Sequence, residues 1–171
     1  MSKKLVLVFT ALTLTASTGS HIAYCQGYVF FSGGGGGPAR AENVGVEGGK
    51  IFTEKKYPYL LGGSLSVAFN GRKGENIGTF LETSIRNEQE INGAAGLRLV
   101  KGLFIVGTAG LSVQSEKDVI NVPGTPTVIE EVPLNKYFSA SGQLRYVYKR
   151  FMFGAGYHSR RGVLAGLGFA F

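Results

Sequence analysis

Ser141 and His158 are the first pair in this 171-residue chain with the types to do chemistry. Folding the chain back at Lys149-Arg150 sets them opposite one another on neighbouring strands, and a serine beside a histidine can become a nucleophile. No acid stands at an adjacent position to orient the histidine, and Ser159 points to the other face, so no triad is complete. A metal site fares no better. His158 is the only histidine after residue 25, and Cys25 is the only cysteine, too few ligands for a zinc-type centre. The run "SGGGGGPAR", Gly33 to Gly37 before Pro38, has the glycines of a phosphate-cradling loop. It lacks the Lys-Ser/Thr and the helix that must follow them. The residues therefore predict no enzyme, no catalytic residue, no cofactor and no metal.

The elements that carry these residues begin after a leader. "MSKKLVLVFTALTLTASTGSHIAYCQG" runs from two lysines through an apolar stretch to small and polar residues, the three parts of a secretory signal peptide. The apolar stretch is short of the ~20 residues a membrane helix needs. Residues 1–25 are read as a cleaved signal peptide and 26–171 as one domain. Lipidation of Cys25 is the alternative, and the bulky Tyr24 speaks against it. The net charge of +7 loses Lys3 and Lys4 with the leader. What remains is mildly basic and too diffuse for a nucleic-acid binder.

No helical period is present. Short alternating runs predict eight strands, at 27–36, 57–69, 76–87, 90–100, 103–116, 134–148, 150–160 and 162–171. In the last of them Val163, Ala165, Leu167, Phe169 and Phe171 share one face, against Leu164, Gly166, Gly168 and Ala170. One face of each strand is apolar with aromatics near its ends. The other is small or polar and carries Glu82, Arg86, Arg98, Gln143, Arg145 and His158. That distribution suits an apolar face turned to lipid around a narrow polar lumen, with aromatic girdles at both interfaces. Connections also alternate in length, with long segments at 37–56 and 117–133 expected outside and short turns on the periplasmic side.

The chain ends in mid-strand on "GFAF", with Phe171 last. Together with the eight-strand layout, this resembles the small outer-membrane β-barrels of Gram-negative bacteria, of the OmpX and OmpA-transmembrane-domain type. The resemblance implies an all-β, eight-stranded antiparallel up-and-down transmembrane barrel in the cell outer membrane. It further implies that the barrel-assembly machinery reads the C-terminal strand ending at Phe171, and that strand eight pairs with strand one. Closure would leave no backbone group unpaired in hydrocarbon. A secreted lipocalin-like ligand-binding barrel is the alternative, with an apolar inside and a charged outside.

Eight strands enclose a lumen filled by side chains, whereas aqueous channels take about 16. No general porin activity is expected. Glu82, Arg98 and Arg145 are expected to form a polar network plugging the lumen, since buried charges persist when paired. A small-solute channel or a lipid A-handling barrel is the other functional reading. In "KDVINVPGTPTVIEEVPL", Val119, Ile120 and Val122 face Val128 and Ile129 across a Pro-Gly-Thr-Pro turn. These β-prone arms predict that strands five and six continue above the membrane as a hairpin whose edges could take a protein partner. Outer-membrane lipid and lipopolysaccharide complete the expected partners, the latter through basic rim residues. A monomer is expected, with a structural, adhesion or partner-binding role through its extracellular loops.

Overall fold

The computed structural model describes residues 25–37, 42–53, 57–77, 80–121 and 128–171. Residues 1–24 of the expected leader lie outside the described residues, as does Val122 of the expected hairpin. Eight strands follow one another: β1 (Cys25–Gly36), β2 (Glu42–Phe52), β3 (Tyr59–Ile77), β4 (Phe80–Val100), β5 (Leu103–Asn121), β6 (Val128–Tyr148), β7 (Phe151–His158) and β8 (Gly162–Ala170). Each pairs antiparallel with the next, and β8 pairs with β1 to close the barrel. Beyond β8, the Phe171 amide still donates to Gly27 O at 2.8 Å. β1 begins and β8 finishes at one end of the barrel, here the terminal end. The opposite end, toward which β3 to β6 run furthest, is the loop end.

Two elements differ from the sequence expectation. β2 lies inside the expected outer loop 37–56, and the expected strands 76–87 and 90–100 are the single strand β4. The physical reason is the same in both places. The face of β2 made by Asn43, Gly45, Glu47, Gly49 and Ile51 turns into a narrow lumen that accepts glycine and one paired acid. The resulting "ENVGVEGGKIF" has the composition of a loop. In β4 the polar triplet Glu88-Gln89-Glu90 mimics a turn, yet Glu88 and Glu90 point inward and Gln89 outward. Similarly, the glycine-rich and charged 70–75 segment continues β3 past a register shift between Ala68 and Gly71. One strand missed and one split in two leave the count at eight.

The inside-out distribution is plain from exposure. Phe138 is 71 % exposed and Leu167 60 %, while Arg145 is 0 % and His158 2 %. A sheet with this arrangement is stable only where hydrocarbon covers its outer wall.

Register determines how the lumen fills. Following pairs from Tyr28 through Gly49, Gly62, Ala94, Thr108, Ser141, His158 and Gly162 returns to β1 at Gly36, eight residues above the start. With a stagger of eight on eight strands, side chains at one height come inward from alternate strands, four to a level. The lowest full level is Tyr28, Leu60, Phe104 and Met152, all buried in the apolar core. The next is Gly49, Gly96, Arg145 and Gly168: one arginine with three glycines to make room for it. Above come Phe30 with Gly62, Val106 and Gly154, then Glu47 with Ala94, Gln143 and Gly166.

A closed ladder offers detergent no edge to peel. The folded barrel is expected to resist SDS at room temperature and to migrate differently after boiling. Identical mobility with and without boiling, for protein recovered from outer membranes, would contradict this architecture.

Candidate functional site

The lumen holds the chain's concentration of buried polar chemistry, stacked in three clusters from the terminal end upward. In the lowest, Arg145 on β6 reaches across to Glu47 on β2, with Nη1 to Oε1 at 2.6 Å and Nη2 to Oε2 at 2.7 Å. This fork-to-fork pairing is the strongest geometry an arginine and a carboxylate can adopt. Tyr28 OH donates to Glu47 Oε1 at 2.6 Å, and Arg145 Nε donates to Gln143 Oε1 at 3.1 Å. The guanidinium also lies 4.1 Å from the centre of the Phe30 ring. Glycines shape this nest. A Cβ at Gly154 would come within 2.8 Å of Phe30 Cζ and 3.0 Å of Arg145 Cγ.

The middle cluster centres on Glu90. The Nδ1 of His158 accepts the amides of Arg160 and Arg161 at 3.1 and 3.2 Å. That leaves the ring proton on Nε2, which donates to Glu90 Oε1 at 2.9 Å. Arg161 Nη2 stands 2.7 Å from Glu90 Oε2 and also donates to Ser66. Asn92 donates to Glu90, and Ser139 to Asn92 at 2.9 Å.

In the highest cluster Arg160 donates to Glu88 Oε2 at 2.8 Å and Gln114 Oε1 at 2.9 Å, and its guanidinium lies 3.8 Å from the Tyr137 ring centre. Partial burial opposes the charge on Arg160, but the bond and attraction to Glu88 prevail and hold it above the ordinary guanidinium value. The short β7–β8 turn thus sends two consecutive arginines back into the lumen, each onto a glutamate of β4. Near the rim Arg86 and Glu116 pair at 2.7 Å.

Arg145 is therefore in a lumen network, with Glu47 as its acid. Arg98 is exposed near the terminal end, where its amide donates to Pro58 O at 2.9 Å. Glu82 belongs to β4 opposite Glu75 and Ile120, and its side chain lies outside the described residues. The structure does not bring Arg98 to Arg145. Sequence reasoning missed Glu47, Glu88, Glu90, Arg160 and Arg161. The alternation of Val44 and Val46 outward with Asn43, Gly45 and Glu47 inward was the available signal for the first.

Ser141 does stand opposite His158 in register. Its hydroxyl is shared with Thr108 Oγ1 at 2.8 Å and accepts Gln143 Nε2 at 3.1 Å. Both imidazole nitrogens of His158 are committed elsewhere, so the pair is not assembled for nucleophilic attack. Among the described residues no group of three or more His, Cys, Asp or Glu is placed to hold a metal ion.

Val119 pairs with Ile129 and Ile120 with Val128, so β5 and β6 do continue upward together. Ile129 is exposed. β6 runs from Ala140 up to Val128 with no β7 partner, and β3 runs from Asn70 to Ile77 with no β2 partner. A four-stranded sheet, β3 to β6, therefore stands above the rim set by the other four strands.

No known protein family matches the chain, and no curated protein sequence does. Solved structures similar to it include two of Ail, the attachment invasion locus protein of Yersinia pestis, one of them in complex with the heparin analogue sucrose octasulfate. They are 12 % and 11 % identical to this chain, each with a TM-score of 0.54, covering 86 % of it and 97 % of Ail. At that identity the likeness is one of fold, that of a closed eight-stranded antiparallel β-barrel.

Proposed function

We propose that this chain is an exported resident of the cell outer membrane whose work is attachment, done by the sheet that β3 to β6 raise beyond the barrel rim. The observation that carries this is the unequal strand length. β4 and β6 have 21 residues each and β7 and β8 only 8 and 9, against the ~9–11 that cross a bilayer. Building two long hairpins serves nothing in the lipid. A lumen filled level by level leaves the loop end as the surface for an external partner. The likeness to Ail, an attachment protein by its description, supports the same direction.

The partner in this reading is a protein engaging the faces and tip of the projecting hairpin at 117–133, with Val119, Ile120, Val122, Val128 and Ile129 at its apolar arms. Adding a strand at the edge fits less well. The free stretch of β6 contains Pro133 and Lys136, and that of β3 contains Arg72 and Lys73, the residues that blunt an edge. Lipopolysaccharide around the wall and the assembly machinery at the Phe171 strand complete the partners.

Replacing residues 118–131 by a two-residue turn is expected to leave the boiling-dependent gel shift intact. It should also reduce, several-fold, the attachment of bacteria displaying the barrel to cultured-cell monolayers. Equal attachment by truncated and full-length barrels would remove the reading.

A further inference from the structure

Charge is distributed very unevenly between the two ends of the barrel. The terminal end exposes Arg98 on β4 and Lys101, Lys149 and Arg150 in its turns. No described residue forms an ion pair with any of the four. The 53–58 connection at this end adds Lys55 and Lys56 in sequence, against Glu54, the one acid in any terminal-end connection. At the loop end acids and bases are interspersed, and Arg160, Arg161 and Arg86 are paired there with Glu88, Glu90 and Glu116. The chain's basic excess is therefore a property of one rim.

The position of these residues suits a particular kind of anion. Tyr148, Phe151, Phe169 and Phe171 are exposed around the same rim, as an interfacial girdle is. Lys149 Nζ lies 5.5 Å from the Tyr148 ring centre. The 101–102 and 149–150 turns are only two residues long. Their charges are therefore held beside the girdle, at the height of headgroup phosphates, and cannot sweep the solvent beyond. Lys149 is fixed further by its positive φ of 55°.

We infer that this basic collar binds the phosphates of anionic phospholipids in the leaflet at the terminal end, and that it gathers such lipids around the barrel. Cations beside an anionic leaflet each gain from the surface potential, and the gain is screened by salt. The inference needs only the transmembrane fold and does not depend on what the projecting sheet binds.

The test uses the full folded barrel in nanodiscs of equal parts phosphatidylcholine and phosphatidylglycerol. Lipids carried by the released protein are counted by native mass spectrometry. Phosphatidylglycerol is expected to be enriched on the order of tenfold. The combined variant Lys101→Gln, Lys149→Gln, Arg150→Gln should bring it near parity, while Arg72→Gln with Lys73→Gln at the loop end should leave it unchanged. Parity for the wild type, enrichment that survives the terminal-end variant, or enrichment lost in the loop-end variant would each overturn the inference. Should the triple variant fail to fold, the wild type decides alone. Its enrichment must fall as salt rises from about 0.05 to 0.5 M, and salt-independent enrichment would also overturn it.

Discussion

Arg145→Ala lowers the stability of the barrel by about 3–5 kcal/mol, the cost of leaving one partner of a buried ion pair alone. Glu47 would keep Tyr28 as its donor and lose both bonds of the arginine fork. The Phe30 ring loses the guanidinium it lies against, 4.1 Å from its centre, and the cavity left adds to the cost. The double variant Arg145→Met, Glu47→Gln removes both charges and retains volume. It should recover a large part of the loss, because a buried pair is costly to break and far less costly to replace by apolar groups. The readout is the urea midpoint in lipid vesicles, scored as the fraction migrating as folded on unboiled gels. Wild-type resistance in Arg145→Ala would mean that the pair is not what holds this level together. A double variant as weak as the single would show that packing, and not charge, dominates.

Glycines on the two faces of the wall should respond in opposite ways to the same methyl group. A Cβ at inward Gly156 meets Gly142 O and comes within 2.7 Å of Gln143 Cα. At inward Gly110 it meets Ile91 O and comes within 2.6 Å of Asn92 Cα. Backbone must move in both cases, and alanine there is expected to cost about 1–3 kcal/mol. Outward Gly142 has nothing within 4 Å of a Cβ. Alanine there should be neutral or gain about 0.5 kcal/mol, since a strand glycine gives up more conformational freedom than alanine on folding. Urea midpoints of the three variants decide the matter. A uniform response would show that the narrow curvature of the wall does not depend on its inward glycines.

The fold was legible where the outer face spoke. Val163, Leu167 and Phe169 alternate without interruption, and a lipid-facing wall tolerates few exceptions, so β8 could be read from the sequence, while its closure onto β1 came from the family resemblance. β2 could not, because its inward face answers to a lumen whose width no local pattern records. A glutamate there reads as surface until Arg145, 98 residues away, is known to face it. The same holds for Arg160 and Arg161. Two arginines in a tight turn look solvated, and only the closed barrel shows that the turn folds inward over Glu88 and Glu90. Arg145 itself was legible from its alternation with Tyr146, but its partner was not.

The eight-residue stagger has a further consequence, for how such a chain can drift over generations. Level neighbours in the lumen come from alternate strands, so the interior behaves as two interleaved sets of four strands. Arg145 is laddered to Phe104 and Gly154, yet the charge that balances it arrives from β2 across the lumen. A heritable change at one of these floors is compensated along a diagonal, by a position tens of residues distant, and seldom by the residue hydrogen-bonded beside it. Lineages of this barrel can exchange whole floors, charge for apolar or aromatic for glycine, while the lipid-facing wall stays the same. Relatives can therefore share the wall's architecture and retain almost none of one another's interior.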